Sequence, residues 1–128
     1  MILTIPASAG EVIDKLTILE IKLERIADAV KRANVEREAE ALSAAWRAAV
    51  PDEAPVAELV AGLREVNGRL WEVEDELREH ERRGEFGEAF VALARAVYRT
   101  NDRRAALKRG INERLGSTLV EEKSYAAY

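Results

Sequence analysis

At 128 residues, with a formal net charge of −4 and no cysteine, the chain has the length of one domain. The missing cysteines remove disulfides, thiolate metal sites and cysteine nucleophiles, and the acidic balance, with a pI near 5.2, gives no ground for nucleic-acid binding. Hydrophobic residues make up 48% and charged residues 34%, a globular balance that leans to helix because prolines number only three.

Met1 leads into Ile2-Leu3-Thr4-Ile5 with no basic n-region and no long apolar run, so neither a signal peptide nor a membrane span is expected, and a cytoplasmic protein is. Ile2 to Ile5 is short and β-branched, closed by Pro6, and predicts an extended N-terminus. Ser8 and Glu11 stand at capping-box spacing. From there Val12, Leu16, Leu19, Leu23, Ile26, Val30 and Ala33 follow a 4-3 repeat, the seam of a helix bundle. The phase slips after Asn34, to Val35, Ala39, Leu42, Trp46 and Ala49, with no Gly or Pro between. The pattern predicts one long helix over 9–49, with Asn34 as the place for any bend.

Pro51 to Pro55 combines a turn with start signals for a second helix, predicted over 55–83, whose seam runs Val56, Leu59, Leu63, Val66, Leu70, Val73, Leu77 and His80. Arg82-Arg83-Gly84 stops it. A third helix is predicted over 86–115. The tail, 117–128, carries Leu119, Val120, Tyr125 and Tyr128, enough apolar surface to predict docking on the bundle with Tyr125 inward. The expected fold is all-α: one domain over 1–128, an antiparallel three-helix bundle with a long first helix, a short extended N-terminus and a docked C-terminal tail.

The third helix carries the least ordinary feature. Its core stripe, Phe86, Phe90, Leu93, Ala94 and Val97, continues on the same face as Asn101, Arg104, Lys108 and Asn112. A packing face that turns polar needs partners for its polar groups. Two explanations compete, a buried salt-bridge network or a ligand site. If the turns between helices are tight, the patch lies beside Arg64, Glu65 and Asn67 of the second helix and Glu36 and Glu40 of the first, making Glu36, Glu40 and Glu65 the expected counterions. Glu74 and Arg78, one helical turn apart, form a second polar set beside Trp71.

Several chemistries are excluded. The only histidine, His80, has Leu77 three residues before it, so the Glu-x-x-His pairs of carboxylate di-iron bundles are missing. Zinc lacks its His and Cys ligands, a Ser-His-Asp triad has only that seam histidine, and no glycine-rich phosphate loop occurs. No metal and no cofactor are expected. Glu11/Asp14 and Glu72/Asp75 have the spacing of paired acidic Mg²⁺ motifs, but such spacing arises readily in Glu-rich helices.

A resemblance adds to this reading. Gly10-Glu11, Asp14-Lys15, Thr17-Ile18-Leu19-Glu20 and Lys22, then Leu70-Trp71, Glu74-Asp75 and Arg78 carry its first half. Its second half is Leu93-Ala94-Arg95, Val97-Tyr98, Asn101-Asp102, Arg104, Lys108-Arg109, Ile111-Asn112 and Glu121-Glu122-Lys123-Ser124-Tyr125. The whole set resembles a bacterial family of small helical proteins classed as a domain of unknown function. The resemblance implies a bacterial single-domain protein and carries over no activity. A long first helix followed by two shorter ones is also similar in architecture to the helical chorismate mutases, an analogy of fold only.

Two functional classes follow. In the first, Asn101, Arg104, Lys108 and Asn112, with Arg78 and Arg95, bind an anionic small molecule, and Glu74 or Asp102 is the candidate acid or base if the site is catalytic. In the second, the first-helix seam and the tail form a non-enzymatic protein–protein interaction module. A first helix of ~60 Å would overhang its shorter neighbours. Val12, Ile13, Leu16, Ile18, Leu19 and Ile21 would then need the first helix of a second chain as cover, so a homodimer is expected.

Overall fold

The structure, a computed structural model, describes residues 1–128 and contains four α-helices and no strand. They are α1 (Ala9–Arg25), α2 (Ala29–Ala49), α3 (Ala57–Arg83) and α4 (Glu88–Leu115), with one 3-10 turn, Ala54–Val56, leading into α3. The expected three-helix bundle is therefore corrected: the long first helix is two helices. No helix is long and apolar enough to cross a membrane.

The break falls at Ile26–Asp28, inside the 4-3 run and not at Asn34. Ile26 leaves the helical region (φ −83°, ψ 122°), and Asp28 starts α2 as its N-cap, its carboxylate accepting from the Lys31 amide at 2.8 Å. Arg32 reaches back from α2 to the carbonyls of Leu23 and Ile26, satisfying acceptors that the end of α1 leaves open. The chain needs neither Gly nor Pro here because both residues at the break adopt ordinary extended backbone.

α2 then runs back along α1, as the Lys15–Glu38 ion pair at 3.6 Å marks. α1 is the central element. It lies parallel to α3, with Asp14 beside Asn67 and Arg25 beside Glu72, and antiparallel to α4, with Gly10 beside Asn112 and Asp14 beside Arg104. Ile13 and Leu16 of α1 pack with Trp46 of α2, Val56, Val60 and Leu63 around the start of α3, and Ile111 of α4 in one core cluster. Trp46 settles its indole N–H on Glu53 at 3.0 Å. The apolar surface expected to overhang is thus largely internal: Ile13, Leu16, Leu19 and Ile21 are buried by this chain's own helices, so the reason for a dimer through helix 1 disappears. The long helix that carried the likeness to chorismate mutases disappears with it.

Both long helices end on glycines in the left-handed region, Gly84 (φ 67°) and Gly116 (φ 64°), where any side chain would be strained. The N-terminal arm is neither helix nor strand, and Met1, Ile2, Leu3 and Ile5 are exposed; one expectation about the tail needs correction. The tail does lie along α4, but through charge: Glu121 on Lys108, Glu122 on Arg109 at 3.0 Å, and Tyr128 on Asp102 with its ring edge-on to Tyr98. Tyr125 is 76% exposed, with Lys123 over its ring, and does not face inward.

Candidate functional site

The polar stripe of α4 meets the N-terminal half of α1. The start of α1 sets the registration. Its first amides have no partners within the helix, and Ser8 accepts from Glu11 N–H at 3.2 Å. The end of α4 takes the others: Asn112 Oδ1 accepts from Gly10 N–H at 2.6 Å, and Ser117 Oγ from Ala9 N–H at 3.4 Å. Such closeness needs a glycine. A Cβ at Gly10 would stand 2.6 Å from the Lys108 carbonyl oxygen. One turn further on, this contact places Asp14 opposite Arg104.

Asp14 is the hub. Its side chain is 1% exposed, and its Oδ1 accepts from Asn67 Nδ2 and Arg104 Nε, each at 2.9 Å. Its Oδ2 accepts from Arg104 Nη2 and stands 4.0 Å from Lys108 Nζ. Thr17 donates to the Asp14 carbonyl at 2.7 Å and accepts from Asn67 Nδ2 at 2.8 Å. Lys108 Nζ donates to Glu11 Oε2 and Glu121 Oε2, both at 2.8 Å, and Lys123 meets the other oxygen of Glu121 at 3.0 Å. Asn101 takes a long 3.5 Å contact from Arg104 Nη1.

The charges close. Arg104, Lys108 and Lys123 face Asp14, Glu11 and Glu121, three against three. No buried side-chain donor or acceptor in the chain lacks a partner. The ionisation equilibria follow the contacts. Hydrogen bonding to Asp14 raises the Arg104 pKa against the opposing effect of burial. Burial pulls the Lys108 ammonium down, but its bonds to Glu11 and Glu121 and the nearby Asp14 charge outweigh that and raise it. The Glu121 carboxyl is lowered to about 2 by hydrogen bonds from Lys108 and Lys123.

A family model matches residues 3–128. The chain belongs to DUF6165, a family of unknown function. No curated protein and no solved structure matches it. Whatever the DUF6165 chain does must therefore be argued from its own side chains.

Asn101, Arg104, Lys108 and Asn112 come together on the inner side of α4, with Lys108 and Asn112 buried. Arg78 lies on α3, exposed and paired with Glu74 at 3.0 Å, and lines one cleft with Asn101 and Arg104. Arg95 is exposed and makes no ion pair. Glu74 is paired with Arg78 and lines the same cleft, and Asp102 accepts from Tyr128. The counterions also differ from expectation. Asp14, Glu11 and Glu121 serve Arg104 and Lys108, while Glu36 pairs with Arg32 and Glu40 and Glu65 make no ion pair. Levels drawn from an unbroken first helix brought the wrong stretch of it to α4. Asp14, Thr17 and Asn67, the buried members that the sequence reading left out of the site, carried a usable signal: Asp14 and Thr17 sit inside the apolar repeat of α1, and Asn67 beside Val66 in that of α3. His80 belongs to another region, at 3.1 Å from the Glu85 carbonyl with its ring near Phe90.

Beside the network lies an open cleft of about 530 Å³ between α1, α3 and α4. Ile18, Ile21, Leu70 and Trp71 form its apolar wall, and Asn67, Asn101 and Arg104 are its link to the network. Arg78, Glu74 and Asp75 stand at its other end, so both signs of charge are present there.

Proposed function

We propose that this protein is a non-catalytic helical assembly module, in which the overhanging half of the α3–α4 hairpin pairs with the same hairpin of a second chain. The observation that carries this reading is a mismatch of lengths. α3 and α4 have 27 and 28 residues, whereas α1 has 17 and turns away at Arg25, level with Glu72. At 1.5 Å per residue the hairpin outruns its cover by roughly 15 Å. Beyond that level the seam has only two helices. Val73 and Leu93 are buried between them, while Leu77, Phe90 and Val97 are half-buried and Phe86, Val91 and Tyr98 are exposed. Two helices alone cannot close a seam on both sides.

Surface area supports the same reading. The chain exposes 8717 Å², whereas a compact monomer of 14.3 kDa exposes about 6,800 Å². The extended termini contribute part of the surplus of ~1,900 Å², and a standard interface needs only ~800 Å² per partner. Charge favours a second copy as the occupant. In the overhanging half, α3 from Glu72 to Arg83 carries six acidic and three basic residues, and α4 from Glu88 to Arg99 carries two basic and one acidic. A twofold axis along the hairpin sets α3 of each chain against α4 of the other. The surfaces move accordingly: the seam of α1 is used internally, and the hairpin takes the role of the interaction surface.

Sedimentation velocity tests this. The expected particle has twice the 14.3 kDa chain mass at micromolar concentration. Val91→Glu, at a position 51% exposed within one chain, should return it to the single-chain mass while the helix content stays unchanged. A wild-type particle of one chain across that concentration range would refute the reading.

A further inference from the structure

On the side of the hairpin away from the internal network, α3 and α4 enclose a second groove, of about 510 Å³. Arg64, Arg69, Arg99 and Arg103 line it, against Glu65 and Glu72. Arg64 is engaged by Glu20 at 2.8 Å. Glu72 is divided between Arg25 at 3.5 Å and Arg69 at 3.9 Å, and Asp102, which neighbours Arg103 in sequence, is turned to Tyr128. Arg99 and Arg103, one helical turn apart, make no ion pair at all. On a chain of net charge −4, this groove is locally positive.

A second, independent observation falls on the same groove. A helix-interior glycine weakens the helix relative to alanine, so each calls for a reason. For three of them the fold supplies it: a Cβ would lie 2.6 Å from the Lys108 carbonyl at Gly10, 3.1 Å from Leu107 at Gly62 and 3.2 Å from Leu59 at Gly110. At Gly68, in the middle of α3, a Cβ would meet nothing within 4 Å. No contact within the chain requires that glycine, and it lines the same groove from α3, with the unpaired Arg99 and Arg103 on α4.

We infer that this groove binds a small phosphoryl-bearing anion, with Arg69, Arg99 and Arg103 as its ligands and the open backbone at Gly68 admitting it close to α3. Glu72 is shared between Arg69 and Arg25, and Glu65 makes no ion pair, so the groove keeps a net positive charge centred on Arg99 and Arg103. A phosphoryl group, with its higher charge and several acceptor oxygens, suits their planar donors better than a single carboxylate does. The site is separate from the Asp14 network, and it stands or falls without the dimer.

The test is an amide NMR titration of the full chain with pyrophosphate, alongside inorganic phosphate and citrate. Pyrophosphate should shift Gly68, Arg99, Thr100 and Arg103 saturably, with a Kd of roughly 1 mM or below. Arg99→Ala/Arg103→Ala should weaken it by about tenfold or more. Gly68→Ala separates ligand from fold: it should raise the melting temperature, because the space is open, and weaken pyrophosphate binding. No saturable shift at these residues, or unchanged binding in the double variant or in Gly68→Ala, would overturn the site. Citrate binding as tightly as pyrophosphate would overturn the phosphoryl assignment.

Discussion

Replacing Asp14 by alanine removes the one carboxylate that Arg104, Asn67 and Lys108 share. Breaking a buried ion pair from one side costs about 3–5 kcal/mol, because the remaining charge is left without a partner. Two features of the site reduce that. Asn67 keeps Thr17 as an acceptor at 2.8 Å, and the Arg104 side chain, 29% exposed, can reach water. A loss of roughly 2–4 kcal/mol is expected, about 10 °C in melting temperature for a chain of this size. Arg104→Met should cost a similar amount, since it leaves the fully enclosed carboxylate with only the Asn67 amide donating directly to it. The double variant Asp14→Ala/Arg104→Met should cost clearly less than the two together, with a coupling of about 2 kcal/mol. Urea denaturation with unchanged m-values supplies all four corners of the cycle. Single changes that each cost under ~1 kcal/mol, or costs that simply add, would refute the assignment of Asp14 as the hub.

The Glu121 clasp makes a pH prediction. Its carboxyl lies at about 2 when folded against an ordinary 4.5, so its contribution to stability is fully present above pH 4.5 and is lost as the pH falls through 2. The difference in stability between wild type and Glu121→Gln should shrink over that window, and a difference that stays constant would contradict the clasp. Gly10→Ala should destabilise by about 1–3 kcal/mol, in spite of the better helix propensity of alanine, because its Cβ meets backbone 2.6 Å away; an unchanged midpoint in thermal melts would show that α1 and α4 can separate freely. Removing residues after Ser117 should lower the melting temperature by only a few degrees, and less at high salt, since the tail is held by charge and not by a buried Tyr125; a salt-independent loss would point to apolar docking.

The sequence made some of this legible and hid the rest for definite reasons. α3 and α4 begin and end within a few residues of where periodicity and the stops at Gly84 and Gly116 put them. The turn at Ile26–Asp28 escaped because Ile26 and Val30 continue the 4-3 spacing across it, although Val30 turns out 72% exposed. The available cue was Asp28, an N-cap residue type, with Arg32 four residues on. On α4, Lys108 and Asn112 could be recognised as core-facing polar residues from that helix alone. Their partners could not, since Glu11 and Asp14 are 97 and 90 residues from the side chains they meet, and the missed turn shifted every inter-helix level. Tail contacts such as Glu121 with Lys108 carry no periodic signal, because the tail is not helical.

The meeting of the start of α1 with the end of α4 makes the chain divisible. The covalent link between the two halves, Val50 to Glu53, crosses from the end of α2 to the start of α3 on the surface. Asp14, Glu11, Gly10 and Glu20 on one side, and Asn67, Arg104, Lys108, Asn112 and Arg64 on the other, join the halves without it. Each half is itself a helical hairpin with local contacts. Cut in that turn, residues 1–51 and 52–128 would still face each other through those polar contacts and through the apolar cluster of Ile13, Leu16 and Trp46 with Val60, Leu63 and Ile111.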